Sequence, residues 1–271
     1  MTAVVLLPIL IASIIIPKLE LVFVLFVGIA LLVSLLEFWM LARAQQIRAD
    51  FVTGILGASA LFVIFYFTEP RKPVDLLAIV IVILALTICS LVTAMLRGAP
   101  FERMIASSSV TVFGVLYVFL LGGHLIATKT GFSEALSKHL LEFFFLVLMG
   151  SDSAAYYGGR AFGRHKLAPT VSPGKTWEGA VAGMLASLLL AAAAHYWFFL
   201  ELPLKLGLPL AAVMNVVGVL GDLTESALKR SVGKKDTAQI LPGHGGMLDR
   251  IDSLLFNAPL IYYFARFYFQ S

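Results

Sequence analysis

The densest chemistry in the chain lies between residues 226 and 252, SALKRSVGKKDTAQILPGHGGMLDRID. Lys229, Arg230, Lys234 and Lys235 supply positive charge there, and Asp236, Asp249 and Asp252 supply carboxylates. Gly243, Gly245 and Gly246, set around His244, let a backbone approach a phosphate closely. If LDRIDSLLF is helical, Asp249 and Asp252 stand at i, i+3 and share a face, with Arg250 pointing aside. Just upstream, Asp222, Glu225, Ser226 and Lys229 fall at i, i+3, i+4 and i+7 of a helix, so one stripe carries two carboxylates, a hydroxyl and an ammonium. Glu225 and Lys229 read as an i,i+4 pair. Asp222, a turn deeper, has no basic residue within four positions and calls for a cation from elsewhere. Carboxylates converging on basic, glycine-rich loops suit magnesium-dependent phosphate chemistry, because Mg²⁺ takes oxygen ligands and bridges substrate phosphates.

A second cluster, GSDSAAYYGGRAFGRHKLAPTVSPGKTWEG, runs from residue 150 to 179. Asp152 sits among small residues that permit close helix contact, and Gly158, Gly159 and Gly163 are expected to form a hinge beside Arg160, Arg164, His165 and Lys166. Next, SPGKT predicts a turn at Pro173 and Gly174, a phosphate-facing Lys175, and Thr176 as the N-cap of the following helix. The Gly-Lys-Thr triplet lacks the spacing of a nucleotide P-loop and follows no strand. Arg43, Arg48, Arg97 and Arg103 are scattered singly, and their expected roles are topology and contact with anionic headgroups.

The run from Ser226 through Lys229, Arg230, Lys235, Asp236, Pro242, His244, Gly245, Gly246, Asp249 and Arg250 to Asp252 resembles the signature of the phosphatidate cytidylyltransferases, or CDP-diacylglycerol synthases. DSAAY and SPGKTWEG resemble the same family, so the likeness covers about residues 150 to 260. The resemblance implies a membrane enzyme that joins CTP and phosphatidic acid into CDP-diacylglycerol and pyrophosphate with Mg²⁺, and it leaves room for a second cation. On that footing metal is assigned to Asp222 and Asp249, with Asp252, Asp152 and Asp236 as second choices. Lys175, Lys229, Arg230, Lys234 and Lys235 are assigned to the phosphates of CTP, and Arg160, Arg164 and Lys166 to the phosphatidate headgroup. Gly245, Gly246 and Arg250 complete the substrate-binding set, and His244 serves either as acid for the departing pyrophosphate or as a hydrogen-bond donor. Membrane lipids are the surrounding partners, no nucleic acid is expected, and a homodimer is left open. A lipid or polyprenol kinase is the nearest rival and a transporter with intramembrane carboxylates a remoter one. The D-G-x2-A-R pattern of a CDP-alcohol phosphotransferase is absent.

The elements that must position these residues are set by a composition that is 60% hydrophobic and 13% charged, which excludes an ordinary soluble domain. Cys89 is the only cysteine, so no disulfide framework exists. The expected fold is an all-α polytopic integral membrane protein of about nine spans, near residues 3–16, 20–41, 51–68, 74–96, 106–128, 139–157, 179–200, 207–228 and 253–269. The first begins without a basic n-region or cleavage site and reads as a retained span. Residues 1–138 are expected to hold N-terminal spans, and residues 139–271 the catalytic part. With nine spans, 13 of the 20 lysines and arginines fall in loops on one side and 6 on the other, with Arg266 apart. The positive-inside rule then puts the catalytic loops in the cytosol and the N-terminus outside, as for an inner (plasma) membrane protein.

Overall fold

The computed structural model describes residues 2–70, 72–98, 101–233 and 246–269. Lys234, Lys235, Asp236, His244 and Gly245 therefore lie outside the described residues. The helices are α1 (Thr2–Ile15), α2 (Glu20–Ala44), α3 (Phe51–Tyr66), α4 (Leu76–Leu96), α5 (Met104–Val115), α6 (Leu121–Thr130), α7 (Glu134–Phe162), α8 (Trp177–Trp197), α9 (Leu204–Ser231) and α10 (Leu248–Phe269). A π-helical turn, Leu116–Leu120, joins α5 to α6, so both belong to one span. A two-stranded antiparallel hairpin, β1 (Lys166–Ala168) and β2 (Ser172–Thr176), separates α7 from α8.

A helix covers each expected segment, but among the described residues six are long and apolar enough to cross a membrane: Pro17–Ala44, Leu76–Leu96, Phe101–Thr130, Glu134–Phe162, Trp177–Trp197 and Leu204–Ser231. At 16 residues α3 is short of the roughly 20 that span the hydrocarbon core, as is α1 at 14. In α10 the polar residues Asp249, Arg250, Asp252 and Asn257 dilute the apolar run. Among the described residues the fold is thus that of an all-α multi-pass membrane protein with one small hairpin.

Helix starts follow local chemistry. Asp50 caps α3, its carboxylate accepting from the Thr53 N–H at 3.5 Å and the Thr53 hydroxyl at 2.8 Å. Asp75 caps α4 by accepting from the Ala78 N–H at 3.0 Å. Each satisfies donors that a helix leaves unpaired at its first turn.

Two compact units divide the described residues. The first takes residues 2–137 and 246–250. Its core gathers Phe23, Leu31, Leu35, Leu61 and Phe65, all essentially inaccessible. Lys129, expected in a loop, instead ends α6 and is buried, its ammonium donating to the Ile14 carbonyl at 3.1 Å above the Phe23 ring. The second unit takes residues 138–233 and 251–269. Phe143, Phe144, Phe199 and Tyr262 fill its core, and α8 packs along α9.

Candidate functional site

In the second unit, α7, β2, α9 and α10 bring together residues far apart in sequence. The Lys175 ammonium of β2 lies 2.7 Å from an Asp222 carboxylate oxygen of α9. This is the cation that Asp222 calls for. Asp152 of α7 and Asp252 of α10 lie within electrostatic reach of both, and the Ser253 hydroxyl reaches Asp152. Three carboxyl groups thus gather within electrostatic reach of one ammonium.

Glycines make this convergence sterically feasible. Gly221 of α9 passes so close to α10 that a Cβ there would stand 2.8 Å from the Asp252 carbonyl oxygen. A Cβ on Gly179 would stand 2.7 Å from the Ala155 carbonyl oxygen, and one on Gly158 would stand 2.5 Å from the Ala182 methyl. The expected hinge is therefore a contact surface: α7 runs unbroken through Gly158 and Gly159 to Phe162, and the missing side chains let α8 close against it.

The SPGKT segment also differs from expectation. The chain turns at Pro169–Val171, where the Val171 N–H donates to the Ala168 carbonyl at 3.3 Å, while Pro173 and Gly174 lie within β2. Proline is tolerated because this two-stranded sheet leaves edges unpaired. Thr176 caps α8 as expected, its hydroxyl accepting from the Gly179 N–H at 3.2 Å. Lys175 precedes that cap by one residue, so the hairpin fixes its backbone on both sides.

Nothing in the local sequence marks Glu178 for a role. Its carboxylate accepts from the backbone N–H groups of Arg164 at 3.1 Å and His165 at 3.2 Å, and it meets the His165 ring Nδ1 at 2.6 Å. It thereby ties the end of α7 to the start of α8. Arg160, Arg164 and Lys166 are exposed around this junction. The Arg230 Nε–H donates to the Val171 carbonyl at 3.3 Å, fixing α9 to the hairpin turn. Lys229 pairs with the buried Glu225 at 2.7 Å, as the i,i+4 spacing predicts.

In the first unit, the start of α10 is held by a residue outside both charged clusters of the sequence. Glu37 of α2 is wholly buried, and its two carboxylate oxygens accept from the Met247 N–H at 2.9 Å and the Leu248 N–H at 2.7 Å. A carboxylate there satisfies otherwise orphan donors and favours the positive end of the helix. Asp249 completes the cap from within, accepting from the Gly246 N–H at 3.1 Å. Its neighbour Arg250 is exposed. The missed signal is a glutamate alone in an apolar span, which lipid would not accommodate without partners.

Among the described residues no group of three or more His, Cys, Asp and Glu side chains forms a ready-made metal cage. The donors of the second unit's cluster are carboxylate and hydroxyl oxygens, the kind that Mg²⁺ accepts. One or two protein carboxylates suffice when substrate phosphates and water complete its shell. The donor set thus fits a magnesium ion bound together with a phosphate-bearing substrate.

Comparison with known proteins gives a consistent result. The description "Cytidylyltransferase family" belongs to a family model that matches residues 1–268. A phosphatidate cytidylyltransferase of Staphylococcus haemolyticus is 34% identical over 241 residues, covering 86% of each chain. One from Staphylococcus aureus (strain COL) is 33% identical over 247 residues, 89% of this chain and 88% of that one. A Haemophilus influenzae protein of the same name is 46% identical over 134 residues, which is 46% of this chain and 45% of the relative.

Proposed function

The chain belongs to the cytidylyltransferase family, and on that premise we propose how it makes CDP-diacylglycerol and pyrophosphate from CTP and phosphatidic acid. The observation that carries the proposal is the Lys175–Asp222 pair with Asp152 and Asp252 in electrostatic reach. An ammonium among carboxyl groups supports a site that takes a phosphate together with a cation.

In the reaction, an ionised oxygen of the phosphatidate monoester attacks the α-phosphorus of CTP. A P–O bond forms there as the bond from that phosphorus to the α,β-bridging oxygen breaks, and pyrophosphate departs with the electron pair. The second pKa of a phosphate monoester is about 6, so near neutral pH the nucleophile needs no strong base. Positioning and charge neutralisation carry the catalysis. Lys175 leaves Asp222 in part to face a phosphate of CTP, with Arg230, Lys229, Lys234 and Lys235 adding charge from the end of α9 and beyond. Arg160, Arg164 and Lys166 receive the phosphatidate headgroup, and Gly245 and Gly246 let the backbone approach a phosphate closely. His244 donates a hydrogen bond to the pyrophosphate. Within the second unit Mg²⁺ is assigned to Asp222, with Asp252 and Asp152 in reserve. When bound, the ion offsets the negative charge of the phosphates.

The test is direct. Protein purified in detergent, given phosphatidate, labelled CTP and Mg²⁺, should yield a lipid-soluble cytidine product and stoichiometric pyrophosphate. A phosphorylated lipid with a nucleoside diphosphate would instead identify a kinase, and no product from folded protein would overturn the reading.

A further inference from the structure

The four arginines that look scattered in sequence converge in the first unit. Arg43 and Arg48 flank the loop from α2 to α3, Arg97 and Arg103 flank the loop from α4 to α5, and all four line one cavity of about 850 Å³. Gln46 and Phe101 share its wall. None of these residues belongs to the carboxylate cluster of the second unit.

The cavity wall is fixed by polar contacts. Arg103 donates from one guanidinium nitrogen to the Gln46 carbonyl at 2.7 Å and from the other to the Gln46 side-chain oxygen at 2.9 Å. Gln46 accepts both from a left-handed backbone, φ 59°, a conformation that costs a non-glycine residue free energy and persists only where its surroundings enforce it. The Ser107 hydroxyl donates to the Arg48 carbonyl, clasping the two loops together. Arg97 pairs with Asp50 at 3.0 Å. Burial of the Asp50 carboxyl opposes its charge, but hydrogen bonds from Thr93 and Thr53 and the Arg97 guanidinium outweigh that and hold it below the ordinary carboxylate range.

That accounts for two of the four guanidinium groups. Neither Arg43 nor Arg48 meets a carboxylate among the described residues. With Asp50 offsetting one charge, the cavity keeps three positive charges. Guanidinium forks match phosphate oxygens in pairs. Apolar surface adjoins the lining: Phe101 of the wall is 55% exposed, and Leu96 and Ile105, next in sequence to the lining residues Arg97 and Met104, are 74% and 78% exposed. A water-borne anion needs no adjoining apolar surface, whereas a headgroup whose acyl chains run down the exposed faces of α4 and α5 does.

We infer that this cavity is a binding site for the phosphate headgroup of an anionic membrane lipid, with Arg43 and Arg48 as its principal ligands. The inference does not rest on the proposed activity, and its test reads binding, not turnover.

The full chain, purified in neutral detergent, is offered phosphatidylglycerol or phosphatidylcholine of matched acyl chains and weighed intact by native mass spectrometry. Wild type should retain the anionic lipid preferentially and unfold at a higher temperature with it than with phosphatidylcholine. Arg43→Gln/Arg48→Gln spares these wall contacts, none of which uses either side chain, and should weaken retention on the order of tenfold, as expected for losing two charge-assisted contacts. Arg43→Lys/Arg48→Lys should recover part of it. Undiminished retention by the glutamine variant, or no thermal preference for the anionic lipid in wild type, overturns the site. Displacement of the lipid by an equal concentration of inorganic phosphate or CTP assigns the cavity to a free anion and overturns the lipid.

Discussion

An ammonium 2.7 Å from a carboxylate that is 41% exposed gains little as a structural pair, because water screens it. Lys175 and Asp222 therefore matter for what they face. Asp222→Asn keeps the shape and removes the charge, and it should lower kcat by about 10² or more while the thermal unfolding midpoint stays within a few degrees of wild type. Lys175→Ala should cost a similar factor, and the double variant should cost much less than the product of the two, since both act at one phosphate. Full additivity in steady-state assays would separate them into independent sites. The chemistry of each residue was legible in the sequence: an aspartate at membrane depth without a local cation, and a lysine before a helix cap. Their pairing was not, because nothing local relates β2 to α9. Only the i,i+4 pair of Glu225 and Lys229 was given by spacing alone.

At the scale of elements, Glu37 shows how one buried side chain sets the start of a helix. Its two oxygens hold two backbone donors at the first turn of α10, next to Asp249. Glu37→Gln leaves one acceptor for those two donors and should destabilise the protein by roughly 1–3 kcal/mol, read as a lower midpoint of thermal unfolding in detergent. It should also lower activity, because Asp249 loses its fixed backbone, and the nearly isosteric change rules out a packing cause. The second element-scale device is the glycine seam. Gly179→Ala puts a methyl 2.7 Å from the Ala155 carbonyl and should destabilise by about 1–3 kcal/mol, whereas Gly174→Ala, with nothing within 4 Å, should stay within about 0.5 kcal/mol of wild type. Equal midpoints for these two variants would mean that α7 and α8 do not depend on close approach. Sequence shows that these glycines are present, but a run of small residues reads equally as hinge or as contact. The choice is made by a partner helix that the local sequence does not name.

At the scale of the whole molecule, alternating hydrophobic runs revealed the helices more reliably than the number that span. Apolar periodicity locates a helix, but whether 16 residues cross a bilayer depends on tilt and neighbours that composition does not encode. The same limit applies to charge. Arg43, Arg48, Arg97 and Arg103 read as sidedness markers, and their convergence shows that the α2–α3 and α4–α5 loops emerge at the same end of the first unit, as an up-and-down succession of α2, α3 and α4 requires. If sidedness follows the basic residues, the end of α9 where Lys229 and Arg230 stand is cytosolic. Gaining or losing one span before residue 150 moves the N-terminus across the membrane and leaves the later loops in place, so the informative probe lies late in the chain. Cys89 is the sole native thiol and is exposed on α4. A cysteine at Ser231, in a Cys89→Ala background, should therefore be the only reactive site. It should resist an impermeant thiol reagent in right-side-out cells and react in inverted vesicles, at a rate that CTP slows if Arg230 and its neighbours hold the nucleotide. Labelling from the outside would put these basic residues on the face away from the cytosolic pool of CTP, and would overturn both the orientation and the route by which the water-soluble substrate arrives.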